Sequence, residues 1–196
     1  MPGYLNFLRL KTGPKYETIS SAVIAQEMNL AAITVRKDLA YLAEGRPRVG
    51  HSREELIERI TEVLGSSGWN AAVLVGVGNL GRALMNYEGF EPYGMSVLAG
   101  FDVNPARIGV PVNEKPVHHI DALGDFIRMN AVNMGIICVP AAFAQEVCDR
   151  MVAAGVRGIL SFAPAHLSAP PNVVIRYEDF AVSLALLAVS MENKTE

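Results

Sequence analysis

The sequence predicts an α/β protein in three parts: a small helical module at the N-terminus, a doubly wound parallel sheet behind it, and one apolar helix at the end. Three observations carry this. The first 53 residues hold eight Lys or Arg against four Asp or Glu, whereas the remainder holds nine against sixteen. The apolar run Ala71-Ala72-Val73-Leu74-Val75 passes directly into Gly76-Val77-Gly78-Asn79-Leu80-Gly81, and the stretch from Phe180 to Met191 carries no charge over twelve residues. With 196 residues, 51% of them hydrophobic and 19% charged, the chain can bury one large core or two small ones. That excludes an intrinsically disordered protein and a large multi-domain enzyme.

The N-terminal residues MPGYLNFLRLK lack a basic segment followed by an apolar run and a small-residue cleavage site, so a cytoplasmic location is expected. The uncharged terminal stretch is shorter than the ~20 residues a bilayer demands, so no membrane partner is expected. Cys138 and Cys148 have neither CxxC spacing nor a disulfide framework around them, and no metal site is expected.

In the N-terminal module, Ser20 or Ser21 is an N-cap signal for a short helix over residues 20–28, with Val23, Ile24 and Met28 at helical spacing. After the break at Asn29-Leu30, residues 31–42 place Val35, Leu39 and Leu42 on one stripe and leave Thr34, Arg36, Lys37 and Tyr41 off it. Two helices joined by a tight turn, the second with one apolar and one basic face, have the geometry that fits a helix into the major groove of double-stranded DNA. Arg46 and Arg48, set between glycines and a proline, suit a wing along the DNA backbone or minor groove. A helical hairpin with a merely solvated basic face is the plainer reading of the two helices alone; the basic turn after them favours DNA. A linker helix follows, with Ser52 and Glu55 as a capping box, an apolar stripe of Leu56, Ile57, Ile60, Val63 and Leu64, and a boundary at Gly65-Ser66-Ser67-Gly68.

An unbroken apolar run such as 71–75 is expected of a parallel strand buried on both faces. The GxGxxG that follows has a defined physical use at each glycine. Gly76 permits the tight turn, Gly78 lets the backbone approach a pyrophosphate, and Gly81 lets the helix pack on the strand, while the helix N-terminus carrying Val77, Asn79 and Leu80 offers amides. A second strand, Val97 to Phe101, ends in Asp102, twenty-one residues past Gly81. That acid is placed to accept the adenosine ribose hydroxyls and to repel a 2′-phosphate, so NAD+/NADH is expected rather than the phosphorylated carrier. A glycine-rich turn without a ligand is the bland alternative. Further on, the pattern predicts a helix at 121–130, a strand at 134–139, a helix at 142–153 capped by Gly155, and strands at 158–162 and 173–176. Val139-Pro140 stands just past a strand end, the edge where such sheets bind ligands.

No substrate-holding domain follows the sheet, and no His/acid pair or Ser-Lys-Tyr set stands beside the glycines, so no catalytic residue is expected. His118 and His119 read as loop histidines, and His51 and His166 give no stronger signal. The competing class is an NAD-dependent dehydrogenase, or a nucleotide-binding subunit, with a helical appendage. The terminal helix, apolar nearly all round, needs cover on most sides. The sheet can cover one face, and a second copy of the chain is expected to cover the other, giving a symmetric dimer suited to a palindromic site. The expected divisions are residues 1–65, 69–177 and 178–196.

Taken in order, Val35-Arg36-Lys37-Asp38-Leu39, Leu74-Val75 with the glycine motif, Phe101-Asp102-Val103, Val139-Pro140-Ala141 and Gly158 to Pro164 resemble the Rex family of redox-sensing transcriptional repressors over nearly the whole chain. The resemblance implies a winged helix-turn-helix joined to a Rossmann domain, with the last helix swapped onto the partner. It further implies a homodimeric repressor, not an enzyme, that holds palindromic operators and lets go when NADH replaces NAD+. In that family a tyrosine after the glycine-motif helix works near the nicotinamide, and Tyr87 matches it. An arginine of the first helix and an aspartate before the last form a ligand-dependent contact between subunits, and Arg9 and Asp179 stand in those places. The family usually carries a tyrosine where this wing has His51.

Overall fold

The computed structural model describes residues 2–42, 50–65 and 71–192. Arg46 and Arg48, and the Ser66-Ser67-Gly68 stretch of the expected boundary, lie outside the described residues. The chain divides into two compact units, residues 1–68 together with 89–94, and residues 69–88 together with 95–196.

The first unit is built from helices α1 (Pro2–Leu10), α2 (Ser21–Glu27), α3 (Ala32–Leu42) and α4 (Arg53–Gly65). Two short strands, β1 (Thr18–Ile19) and β2 (His51–Ser52), pair antiparallel with Ile19 opposite His51. The expected caps form: the Val23 amide donates to Ser20 Oγ at 3.2 Å, and the Glu55 amide donates to Ser52 Oγ at 3.4 Å. Asn29 turns the chain between α2 and α3 with a positive φ of 52°, a conformation asparagine tolerates. Leu5, Leu8, Ile24, Val35, Leu39, Leu56 and Ile60 are buried together as one core. The α3 stripe is the expected one. On α2 the buried pair is Ile24 and Ala25, while Val23 is 38% exposed, because α2 rotates its small residue inward to meet its neighbours.

The second unit is a six-stranded sheet of β3 (Ala71–Val75), β4 (Ser96–Asp102), β5 (Val117–His119), β6 (Met134–Ile137), β7 (Gly158–Ser161) and β8 (Val174–Tyr177). Its order is β5-β4-β3-β6-β7-β8, with every neighbouring pair parallel. Connections leave β3 in both directions, so the strand order reverses there, which is the switch point of a doubly wound Rossmann sheet. Helices α5 (Asn79–Met85), α6 (Leu123–Met129) and α7 (Ala141–Ala154) sit among the crossovers. Two glycines mark the two covered faces. A Cβ on Gly135 would strike Met151 of α7, and one on Gly100 would strike Met85 of α5, so each helix lies close to the strands through a residue without a side chain.

β5 falls where a loop was expected ahead of a helix at 121–130. The observed order is a three-residue strand, a single 3₁₀ turn at Ile120–Ala122, and then α6. The final helix, α8 (Phe180–Glu192), is capped by Asp179, whose Oδ1 accepts from the Ala181 and Val182 amides at 2.8 and 3.1 Å. Every residue from Phe180 to Met191 is exposed. The expectation that this chain's own sheet covers one face of α8 is therefore corrected: Phe180 meets Phe162 with ring centres 5.7 Å apart, yet the apolar side chains stay exposed along the length of the helix.

Candidate functional site

In the second unit a cleft of about 630 Å³ opens at the carboxyl ends of β3, β4 and β6 and under the start of α7. The switch point puts it there, because chains leaving β3 and β6 in opposite directions part and leave a crevice. Its floor is Val75, Gly76 and Gly78, and its walls include Asp102, Arg107, Val139, Pro140, Phe143 and Arg150.

The three motif glycines divide their work as their surroundings dictate. Gly76 has φ +96°, and a Cβ there would lie 2.5 Å from the Cys138 carbonyl oxygen. At Gly81 a Cβ would lie 2.0 Å from the Gly76 oxygen, so α5 cannot start so close to β3 with any larger residue. At Gly78 the nearest atom is an Arg107 guanidinium nitrogen at 4.0 Å, which leaves the backbone open on the cleft side. That open approach at a helix start, with Asn79 and Leu80 following, fits a pyrophosphate.

Asp102 ends β4 and is buried at 5% exposure. Its Oδ2 accepts from the Val77 amide at 2.8 Å and from Arg107 Nη1 at 2.9 Å, and its Oδ1 accepts from the Asn104 amide at 2.8 Å. Burial pushes the carboxyl pKa up, but the Asn104 amide, the Arg107 guanidinium and the Val77 amide together outweigh it and hold the group below the ordinary carboxylate value. Val77 is thus a brace for Asp102, with its own amide committed inward. The carboxylate keeps lone-pair room for a ribose hydroxyl, but it faces the cleft already paired with a cation. Sequence reasoning missed Arg107, and it missed Phe143 and Arg150 on α7. Arg150 stands at that rim in ion pairs with Glu146 at 2.9 Å and Asp121 at 3.6 Å.

Tyr87 lies one residue past the Asn86 cap of α5 and is 56% exposed; it is not among the residues lining the cleft. Cys138 lines it, and burial pushes this thiol up to about 12, so at neutral pH it is no thiolate. No group of His, Cys, Asp and Glu suited to a metal occurs among the described residues.

In the first unit, Thr34, Arg36, Lys37 and Tyr41 are all exposed on α3, opposite the buried Val35, Leu39 and Leu42. The helix is held by Tyr4 of α1, whose hydroxyl donates to Asp38 Oδ2 at 2.7 Å. Burial, then the bond to Asp38, push that phenol up to about 12, so it stays a donor throughout the physiological range. Arg9 on α1 lies 5.9 Å from the Tyr93 ring centre, and its Nη1 is buried without an acceptor among the described residues.

Comparison with known proteins places these two units in a common context. The family model described as a CoA binding domain matches residues 69–165. A redox-sensing transcriptional repressor Rex of Carboxydothermus hydrogenoformans is 45% identical over 178 residues, covering 90% of this chain and 85% of its own. A second, of Streptomyces avermitilis, is 41% identical over 195 residues, covering 99% of this chain and 77% of its own. Among solved structures, the crystal structure of RSP in complex with β-NAD+ and operator DNA matches with a TM-score of 0.86 at 30% identity, covering 99% of this chain and 90% of that one. RSP in complex with β-NADH matches with a TM-score of 0.86 at 29% identity, covering 99% and 91%.

Proposed function

The chain belongs to the Rex family of redox-sensing transcriptional repressors, and on that premise we propose that two copies of it hold palindromic operator DNA while NAD+ fills the sheet cleft and let go when NADH replaces it. The observation that carries this is the pairing, in one chain, of a helix-turn-helix whose basic face is exposed with a Rossmann cleft whose central glycine is open. Among the described residues no helix is long and apolar enough to cross a membrane.

In this reading α3 enters the major groove. Thr34 and Arg36 reach base edges or phosphates, Lys37 and Tyr41 meet the backbone, and Arg46 and Arg48 extend the contact as a wing. In the cleft, Gly76 and Gly78 with the amides of Asn79 and Leu80 hold the pyrophosphate, and Asp102 with Arg107 faces the adenosine ribose. Val77 braces Asp102, Gly81 seats α5 on the sheet, and Val139 and Pro140 line the way toward the nicotinamide. The bound carrier supplies a ring that is cationic and planar when oxidised and neutral and puckered when reduced. Only residues near that ring can tell the two apart; the family resemblance gives that part to Tyr87, although within one chain it does not line the cleft. Arg9 and the partner subunit's Asp179 convert the difference into the angle between protomers, which sets the spacing of the two α3 helices. A ligand moves such an equilibrium only by its difference in affinity for the two states, about 5.5 kcal/mol for a complete reversal from 1:99 to 99:1.

Fluorescence anisotropy of a labelled palindromic duplex tests the reading, at two salt concentrations, with NAD+, NADH and coenzyme A added separately. Binding should fall with salt by about 0.9 log unit per log unit for each phosphate neutralised. NADH should weaken it, while NAD+ leaves it intact. Coenzyme A, which shares the adenosine diphosphate, is expected to compete without driving release. Equal operator affinity with both nicotinamide carriers sinks the proposal.

A further inference from the structure

The chain leaves the sheet unit after Glu88 and rejoins it at Met95. In between, residues 89–94 belong to the N-terminal helical unit, although the sequence on both sides is part of the sheet. This excursion is a 3₁₀ turn over Glu88–Tyr93 with Pro92 inside it, and Tyr93 packs half-buried against the core formed by α1, α2, α3 and α4. Its ring centre lies 5.9 Å from the Arg9 guanidinium. A buried guanidinium nitrogen without an acceptor is costly, and Arg9 Nη1 is in that condition among the described residues. The negative face of an aromatic ring offsets part of that cost and fixes where the cation sits.

We propose that Tyr93 is a positioning residue for Arg9, and that the segment from Tyr87 to Gly94 carries the state of the dinucleotide site into the DNA-binding unit of the same protomer. This rests on the redox-release reading given above. Tyr87 and Tyr93 are joined by five residues of chain, the intervening turn is stiffened by Pro92, and its far end carries the ring that holds Arg9. A shift of Tyr87 is therefore transmitted along covalent structure to the residue that presents Nη1 to an acceptor on the second chain. Two routes then converge on Arg9, one through the partner's Asp179 and one from below through Tyr93.

The readout is the ratio of operator Kd with NADH to that with NAD+, measured on the full-length protein. In Y93M the ratio should fall by about threefold or more. In Y93F, which keeps the ring, it should stay within about twofold of the unsubstituted protein. Combined with R9A, Y93M should add nothing, because its effect passes through that arginine. A series of fluorinated phenylalanines at position 93 keeps the shape of the ring and strips its negative face, so it reports even where Y93M does not fold; the ratio should fall as fluorines are added. An unchanged ratio in Y93M, an equal loss in the R9A background, or indifference to fluorination overturns the role of Tyr93 while leaving redox release intact. A ratio of one in the unsubstituted protein overturns redox release itself, and the role of Tyr93 with it.

Discussion

Asp102 keeps its charge inside the protein because three donors converge on it, and the sign of its pKa displacement has a consequence for stability. The carboxyl is held below its ordinary value of 3.8 in the folded chain, whereas in the unfolded chain it titrates near that value. The folded state therefore gains stability above the unfolded value and loses it as pH falls through the depressed folded one. Asp102→Asn removes the charge and turns one accepting oxygen into an amide that faces a donor, Val77 N–H or Arg107. It should cost about 1–3 kcal/mol at pH 7, and urea unfolding at pH 7 and pH 3 should show that the acid-induced loss is smaller in the variant. An equal loss in both would mean that Asp102 is not a depressed carboxylate. The same network bears on carrier choice. On the proposed placement of the adenosine ribose beside Asp102, the bond from Arg107 would make that carboxylate repel a 2′-phosphate less than its position alone implies.

The glycine motif is an element, and its parts separate by what a single methyl group would meet. Gly78→Ala finds open space within the chain and should leave the fold intact, yet it fills the approach to the cleft; dinucleotide affinity should fall about tenfold or more with the melting temperature nearly unchanged. Gly81→Ala puts carbon 2.0 Å from a backbone oxygen and must displace α5 from β3, so it should destabilise the protein as well as abolish binding. Thermal unfolding beside nicotinamide-fluorescence titration separates the two, and the expectation fails if both variants melt alike. This motif was legible in the sequence because strand, turn and helix are contiguous and each glycine has a local reason. The long β3 and β4 were legible as apolar runs, and α3 through its stripe. β5 was not, since three residues, Val117, His118 and His119, carry no period; their pairing with β4 is supplied by the sheet. The 3₁₀ turn at Glu88–Tyr93, rich in glycine and proline, reads as loop, and no local pattern says which unit it joins. Arg107, Phe143 and Arg150 reach the cleft from separate elements, so only the folded topology brings them together.

At the scale of the molecule, α8 is the feature a single chain cannot explain. Leu184, Leu186 and Leu187 are 68%, 63% and 56% exposed, with Phe180, Val182, Val189 and Met191 beside them, so apolar surface faces outward on every side. Burying one such side chain is worth about 1.5–3 kcal/mol, and leaving a whole helix of them in water would invite aggregation. The charge-free sequence fits a helix enclosed by protein on all sides, and a second copy related by a two-fold axis can supply that enclosure twice over, since each chain then gives and receives one helix. Because α8 is exposed on both faces within one chain, a second chain has more of it to cover, and the exchange of α8 between protomers that the family resemblance implies would supply that cover. Leu184→Glu with Leu186→Glu, about 200° apart around the helix, places charges on two sides of it, so neither face can be enclosed. Analytical ultracentrifugation should show the unsubstituted protein as a dimer at micromolar concentration and the double variant as a folded monomer with the far-ultraviolet circular dichroism of the sheet unit retained. The monomer should hold a palindromic duplex no more tightly than a half-site, because the gain from the second half-site depends on two α3 helices being joined. A double variant that stays dimeric, or that keeps its preference for the palindrome, would show that α8 is not the joint between the protomers.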